Sequence, residues 1–230
     1  MGLDRRVRPK RIAEVLKQID PDIIALQEVT GMDEASGERN HLQAIAEELA
    51  FDFRTGENRR LRGAAYGNAV LTHLPIVSQH NHDITWRKSE PRGCLHVTLA
   101  LEDKKQTAPR SLQIYNTHLG TGFFERRYQA GRLLNVLGDH SHASSARIIL
   151  GDFNEWTRGL ASHLLSDRFH TAEPQQRLGR ARTYPGVMPL LHLDHIYYDS
   201  PLELLNIQLH RSRLALVASD HLPLVADFRL

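Results

Sequence analysis

The sequence predicts an α/β protein in which two β-sheets pack against each other and helices cover their outer faces. Three observations support this fold class. The chain opens in the order helix, strand, helix, and four closely spaced strands follow between residues 66 and 119. Residues 148–150 form an unbroken apolar run, which is typical of a strand buried on both faces. Because strands outnumber helices, a covered two-sheet sandwich fits best, and we expect one domain over residues 1–230.

The first 50 residues carry two helical repeats and one strand. Residues 9–19 are predicted to be helical, with Pro9 in the first turn and Asp20-Pro21 ending the helix; its apolar positions are Ile12, Val15, Leu16 and Ile19. The apolar run from Asp22 to Val29 predicts a buried strand. A second helix follows, with apolar positions Leu42, Ile45, Ala46 and Leu49.

The centre of the chain is rich in strands, and their close spacing predicts antiparallel pairing. The four predicted strands are Tyr66–Thr72, Ile76–Thr85, Gly93–Leu101 and Ser111–Leu119. After them we expect a helix over 125–137, the 148–150 strand, a short helix over 158–166, a loop-rich segment over 170–190, and strands near 193–198, 203–210 and 222–229.

Composition excludes several classes of protein. The single cysteine, Cys94, rules out an internal disulfide and a cysteine-based zinc site, so we expect it in the core. The net charge of +2 and the aromatic content of 7% argue mildly against an extended nucleic-acid interface, although basic runs occur at 5–11 and 54–62. No transmembrane segment and no secretory signal are visible, so we expect a cytoplasmic protein.

Polar residues follow apolar strands in five short motifs: Leu26-Gln27-Glu28, Asn116-Thr117-His118-Leu119, Gly151-Asp152-Phe153-Asn154, Leu193-Asp194-His195-Ile196 and Ser219-Asp220-His221. Any one of them has a purely structural interpretation, such as an Asx turn after Gly151. Together they supply carboxylate and amide oxygens for a hard cation, and histidines for proton transfer.

The motifs suggest individual roles. Glu28 is a plausible Mg²⁺ ligand, and Asp152 and Asn154, on the loop that leaves the strand at Gly151, would orient a water molecule and hold a phosphate oxygen. His221 would pair with either Asp194 or Asp220, since a histidine oriented by a carboxylate acts as a general base or stabilises charge.

The five motifs, in this order and spread over nearly the whole chain, resemble those of the endonuclease/exonuclease/phosphatase superfamily, the DNase I-like fold. The resemblance implies a four-layer sandwich of two mixed β-sheets flanked by helices. It also implies hydrolysis of phosphodiesters or phosphomonoesters with Mg²⁺ or Mn²⁺ as the cofactor.

The resemblance also implies roles for single residues. Catalysis would involve His118 at the phosphate, Asp152 at the attacking water, Asn154 at the phosphate and metal shell, and Asp194 orienting the essential His221. Glu28 and Asp220 would be metal-side acids. Asn68 falls near the position of a glutamate that supports the first histidine in DNase-like nucleases. Its amide can hydrogen-bond His118 but cannot supply the charge, and Asn68 is expected to contribute to substrate binding. Arg92 is expected either to face the substrate or to lie in a surface loop.

One departure from the family pattern concerns an earlier strand that ends in an asparagine. Only 26 residues precede Gln27, and they contain a polar segment and a helix, so we expect the domain to be N-terminally truncated and to lack this strand. Its loss would expose a sheet edge and weaken catalysis by one phosphate-side amide.

Three functions remain open from the sequence. The favoured one is a Mg²⁺- or Mn²⁺-dependent phosphoesterase acting on a small phosphodiester or a lipid headgroup ester. The second is a DNase I-like endonuclease with nucleic acid as its substrate. The third, from another class, is an inactive binding module. The sequence does not indicate an oligomeric state.

Overall fold

We analysed a computed structural model of the chain, which describes residues 8–31, 41–61, 63–101, 110–138, 145–156, 159–172, 182–186, 188 and 190–230. The helices are α1 (Pro9–Ile19), α2 (His41–Leu49), α3 (Phe123–Leu137), α4 (Leu160–Ser166) and α5 (Ala215–Ala218). The strands are β1 (Ile23–Thr30), β2 (Asp52–Leu61), β3 (Ala64–Thr72), β4 (Ile76–Asp83), β5 (Gly93–Leu101), β6 (Arg110–His118), β7 (Ser145–Asp152), β8 (His170–Thr171), β9 (Asp194–Tyr198), β10 (Glu203–Leu209) and β11 (Leu224–Arg229).

The strands pair in three groups that form the two central layers of a four-layer α/β sandwich. A six-stranded mixed sheet has the order β4-β5-β6-β7-β9-β8, with β6 and β7 parallel and its other neighbours antiparallel. Facing it are the antiparallel sheet β1-β3-β2 and the antiparallel pair β10-β11. The predicted fold class, sheets flanked by helices, is therefore confirmed.

Three buried clusters separate the layers. The central cluster lies between the sheets and includes Val70 from β3 and Leu95 and Ile114 from the six-stranded sheet. Helices α1 and α2 pack on the outer side of the three-stranded sheet. Helices α3 and α4 pack on the outer side of the six-stranded sheet, over a cluster that includes the buried Cys94, as expected for that residue. None of the helices in the described ranges is long and apolar enough to cross a membrane.

The predicted helix over 9–19 is confirmed as α1, with Pro9 in its first turn and Asp20 in a left-handed conformation at its end. The four central strands are antiparallel as predicted, but they do not form one meander. Strand β3 pairs with β1 and β2, whereas β4 begins the other sheet, so the chain crosses between layers at the turn over residues 73–75.

Strand β2 was not predicted, because its basic residues made it resemble a charged loop. It pairs along its whole length with β3 and is one of the two edge strands of its sheet within the described residues. Charged side chains on an edge strand discourage pairing with other chains, which explains the composition. Among the described strands, β1 and β11 each have a single neighbour, and the expected absence of an earlier strand stays a prediction.

Strand β7 extends further than the predicted 148–150 and includes Gly151 and Asp152. Gly151 does not turn the chain away from the sheet as expected. It has a φ of 140°, and a Cβ there would lie 1.9 Å from the main-chain oxygen of Thr117 on the parallel strand β6. A glycine is required because β6 and β7 approach closely at this point, and this approach brings their last residues, His118 and Asp152, side by side.

Candidate active site

Polar side chains from both central layers meet at the strand ends predicted by the five motifs. His118 ends β6, Asp152 ends β7, and Asp194 begins the antiparallel neighbour β9, with Asp152 and Asp194 directly paired in the sheet. His221 lies in the turn before β11 and reaches Asp194. The order of the strands, rather than proximity along the chain, therefore assembles this site.

His221 is oriented by Asp194, and not by its chain neighbour Asp220. Its Nδ1 lies 2.8 Å from Asp194 Oδ2, and its ring packs against Tyr184 with 5.0 Å between ring centroids. Burial alone would lower the pKa of His221, but the hydrogen bond to Asp194 and the nearby carboxylates, including Asp152, raise that pKa to about 9. The imidazole is therefore protonated at neutral pH, and its Nε2 lies 3.9 Å from Asp152 Oδ2.

Asp152 lies between the two histidines. Its Oδ2 is 3.5 Å from His118 Nε2, and its Oδ1 accepts the main-chain N–H of Asn154 at 2.8 Å. Burial and the negative charges of Asp194 and Glu28 raise the pKa of Asp152 to about 7, against the opposing effect of His221. Glu28 therefore belongs to the same electrostatic cluster, although it comes from the other sheet.

His118 is buried and faces a different set of partners. Its Nε2 lies 3.1 Å from Asn154 Nδ2, and its Nδ1 lies 3.4 Å from a guanidinium nitrogen of Arg92. Burial, together with the positive charges of Arg92 and His221, lowers the pKa of His118 to about 3. His118 is therefore neutral where His221 is charged, so the two histidines have different chemical properties.

Asn154 is held in a left-handed conformation with a φ of 50°. Its side-chain amide donates to the main-chain oxygen of Leu119 at 2.8 Å while its own N–H is held by Asp152. Isolated left-handed residues are tolerated where local hydrogen bonds stabilise them, and asparagine tolerates this conformation better than most residues. Asn154 is thus fixed beside His118, and its role at the phosphate and metal shell stays a prediction.

Arg92 is a buried site residue and not a surface-loop arginine. Only 8% of it is exposed, and its guanidinium donates to Glu90 Oε2 at 3.1 Å besides contacting His118. Glu90 also pairs with Arg59 at 2.8 Å. The surface-loop alternative for Arg92 is therefore wrong, and the alternative that Arg92 faces the substrate stays a prediction.

The expected hydrogen bond from Asn68 to His118 is not formed. Asn68 is 2% exposed, and its amide donates to the main-chain oxygens of Gly93 at 3.0 Å and Asn116 at 3.2 Å. The reason is geometric: Asn68 lies on β3, which faces β5 and β6 across the sheet interface, so its amide meets main-chain carbonyls before it reaches the site. The side chain that contacts His118 Nδ1 is Arg92.

Glu28 lies at a β-bulge of β1, where the pairing register shifts between Leu26 and Val29. It has a φ of 57° and is exposed. Burial, with the charge of Glu28 and a hydrogen bond to its carboxylate, raises the pKa of Tyr66 to about 12. A bulge re-aims a side chain at the rim of a sheet, which accounts for the outward position of this acid.

Several residues at the site carried no sequence signal. Tyr66, Tyr184 and Glu90 do not follow a strand in any of the motifs, so the pattern that identified the others could not find them. Asn116 stood inside a motif, but its role is structural: it is fully buried and binds Gln27, Leu26 and Ala69 across the sheet interface.

The donor chemistry suits a hard divalent cation. In the described part of the chain, no three His, Cys, Asp or Glu residues converge closely enough to form a ready-made metal cage. Mg²⁺ does not need one, since it takes one or two carboxylates and retains several waters. The raised pKa of Asp152, caused in part by the charges of Asp194 and Glu28, is the observation that favours a cation among these acids. Asp220 is exposed beside His221, at the edge of this cluster.

Comparison with known proteins agrees with this geometry. The model of the endonuclease/exonuclease/phosphatase family matches residues 2–221. The chain belongs to this family. Members of the family are hydrolases that act on phosphate esters, and a phosphatase occurs among the structural neighbours of the chain.

Individual relatives are distant. The chain is 29% identical to the uncharacterized protein YbhP of Escherichia coli K12, over all of this chain and 91% of that protein. It resembles the mannosyl-6-phosphatase Bt3783 of Bacteroides thetaiotaomicron with a TM-score of 0.72 and 16% identity, covering 97% of this chain and 91% of the other. It resembles the human Nocturnin catalytic domain with a TM-score of 0.71 and 18% identity, covering 98% and 88%. At these identities the structural likeness establishes the fold alone.

Proposed function

We propose that this family member is a Mg²⁺- or Mn²⁺-dependent phosphoesterase that hydrolyses a phosphodiester by direct attack of water. The observation that carries the proposal is the position of Asp152, whose Oδ2 lies 3.5 Å from His118 and 3.9 Å from His221. A carboxylate between a neutral and a protonated histidine allows both proton removal and charge stabilisation within one cluster.

In this proposal Asp152 receives the proton of the attacking water. The raised pKa makes it a stronger base than an ordinary aspartate, and Asn154 holds the phosphate oxygen next to it. His221, fixed through Nδ1 by Asp194, keeps Nε2–H directed into the cluster, where it stabilises negative charge that develops on the phosphate. As the bond between phosphorus and the leaving oxygen breaks, His221 gives its proton to that oxygen.

His118 and Arg92 form the second side of the site. His118 is neutral, and Arg92 supplies a fixed positive charge for a phosphate oxygen. Glu28, with Asp220 as the second predicted acid, would hold the cation. When bound, the cation polarises the phosphoryl group and neutralises charge in the transition state.

The substrate proposed first is a small phosphodiester or a lipid headgroup ester, and the second candidate is nucleic acid. The net charge of +2 supports the first, because nucleic-acid binding depends mainly on neutralising backbone phosphates. The dependence of cleavage on salt separates them. A nucleic-acid enzyme loses affinity steeply as salt rises, and an enzyme for a small ester does not.

The test is hydrolysis of bis-p-nitrophenyl phosphate with Mg²⁺ or Mn²⁺, and with EDTA as the metal-free arm. His221→Ala should reduce turnover by about 10²- to 10⁴-fold, since it removes a proton donor and a fixed charge. His163→Ala, at an exposed position on α4, is the matched control and should retain wild-type activity.

Thermal unfolding separates loss of chemistry from loss of fold. His221→Ala should melt cooperatively, as the wild type does. Wild-type turnover in a folded His221→Ala protein would contradict the mechanism. A wild-type protein that hydrolyses no phosphate ester with either metal would instead favour the inactive binding module.

A further inference from the structure

A groove with aromatic and basic walls runs beside the active site. It lies between the solvent side of α3 and the loop over residues 84–92, and its volume is about 770 Å³. We call it the aromatic-basic groove. It is lined by the aromatic residues Trp86, Phe124 and Tyr128 and by the arginines Arg87, Arg127 and Arg132, and no carboxylate from the described ranges lines it.

Helix α3 leaves unusual apolar surface uncovered at its beginning. Phe123 is 58% exposed, Phe124 is 69% exposed, and their rings meet edge to face with 5.5 Å between centroids. The opposite side of α3 packs normally, with Leu133 and Leu137 in the core. Two adjacent phenylalanines that remain in water lack the stabilisation that burial gives most aromatic side chains. We therefore expect a partner to cover them.

The groove and the site share the 84–92 loop, which borders both. The 84–92 loop is closed by two hydrogen bonds of 3.0 Å, from Ile84 N to the Arg92 oxygen and from Arg92 N to Thr85 Oγ1. The loop therefore presents Trp86 to the groove and Arg92 to His118. On the other wall, α3 begins at Phe123, a few residues after His118 in the chain.

We propose that the aromatic-basic groove, together with Phe123, docks the protein on the surface of an anionic phospholipid bilayer. Arginines attract anionic headgroups, while aromatic rings enter the interfacial region of the membrane. This inference rests on the proposed function, because it places a lipid headgroup ester at the mouth of a phosphoesterase site.

A bilayer accounts for more of the surface than a nucleic-acid strand does. A strand in the groove would contact the arginines and stack on Trp86, but Phe123 does not line the groove and would remain in water. A bilayer covers the groove and the exposed pair Phe123 and Phe124 together. The absence of acids from the lining matches a surface of uniform negative charge.

Sedimentation with vesicles tests the proposal. Vesicles of phosphatidylcholine with phosphatidylglycerol should bind the protein, and vesicles of phosphatidylcholine alone should bind it much more weakly. The double variant Phe123→Ser/Phe124→Ser should weaken binding to the anionic vesicles by at least about tenfold, from lost apolar burial. Arg127→Gln should weaken it about fivefold, and added salt should weaken the wild type.

Matched controls lie elsewhere on the surface. Leu205→Ser replaces an apolar residue that is 54% exposed on β10, and Arg211→Gln removes an exposed positive charge after that strand. Both should bind vesicles as the wild type does. Equal binding of wild type to neutral and anionic vesicles would overturn the proposal. So would undiminished binding of the Phe123/Phe124 double variant.

A single-stranded oligonucleotide is the competing ligand. Tight binding of the oligonucleotide that is lost in Arg127→Gln, with no binding to anionic vesicles, would assign the groove to nucleic acid and overturn the proposal. Sedimentation measures docking without chemistry, and hydrolysis of soluble bis-p-nitrophenyl phosphate by the wild type measures chemistry without docking. Failure of this inference is therefore distinguishable from failure of the proposed function.

Discussion

Asn116→Ala is expected to destabilise the fold and to disturb the predicted metal site at the same time. Asn116 is fully buried on β6, in the sheet opposite Glu28. Its Nδ2 donates to the main-chain oxygens of Leu26 and Ala69, both at 2.9 Å, and its Oδ1 accepts from Gln27 at 2.7 Å. Leu26 and Gln27 directly precede Glu28, so this one amide holds the bulge that presents the acid.

The magnitude follows from these three hydrogen bonds. Each contributes about 1 kcal/mol net, so Asn116→Ala should lower the free energy of unfolding by about 3 kcal/mol. For a chain of this size, that corresponds to a Tm lower by about 6 to 12 °C. Loosening the support of a metal-binding acid typically reduces metal affinity about 10- to 100-fold, and Mg²⁺-dependent turnover should show this as a higher metal requirement.

The assays are thermal unfolding and metal titration of phosphodiester hydrolysis. Asn206→Ala is the control, because Asn206 is an exposed asparagine whose side chain bonds only at the surface, to Asp227. It should change neither Tm nor metal requirement. If Asn116→Ala melted with the wild type, the three contacts would not stabilise the sheet interface. If it melted early but kept the wild-type metal titration, the link between Asn116 and Glu28 would be refuted.

Two further predictions concern stability. Glu155 is 4% exposed and accepts the main-chain N–H groups at the start of α4, two of them at 3.0 Å. Glu155→Ala should therefore lower the free energy of unfolding by about 3 kcal/mol, and Glu155→Gln should lower it by less. Equal denaturant midpoints for both variants and the wild type would contradict this. Burial and the neighbours His80 and His96 lower the pKa of His82 from 6.5 to about 4, so the folded protein excludes a proton that the unfolded chain binds. The contribution of His82 to the free energy of unfolding should therefore be fully present above pH 6.5. It should decrease as the pH falls towards 4, by about 1 kcal/mol after discounting for the exposed part of the ring. The dependence of the urea midpoint on pH over this range should be weaker in His82→Gln than in the wild type.

The elements that the sequence predicted well are those whose burial alternates at a fixed period. Helix α1 was located to the residue because its apolar positions and Pro9 agree. Strand β2 was missed because its burial is set by pairing with β3, and its basic side chains lie on an edge where charge is tolerated. Hydrophobic periodicity shows which face of a segment is buried, but it does not show which strand lies beside that segment.

The candidate site shows the same contrast between features that the sequence predicts and features that only the structure shows. The motifs named the side chains that end strands, and the structure brings His118, Asp152 and His221 together. Motifs could not reveal Arg92 as the partner of His118, because that contact depends on a loop closed by main-chain hydrogen bonds. The family resemblance assigned Asn68 the wrong hydrogen-bond partner, since the position of a residue in a strand does not specify which atoms lie across the sheet interface.

The site is built from both layers, and this links its chemistry to the packing of the sheets. Glu28 comes from the three-stranded sheet, while His118 and Asp152 come from the six-stranded one. Glu28 and Asn154 also adopt left-handed backbone conformations that side-chain hydrogen bonds must stabilise. A sliding of one sheet against the other would therefore separate the acid from the histidines before it unfolded the protein. Because buried amides such as Asn116 bridge the two sheets, we expect activity to depend also on residues that never contact substrate.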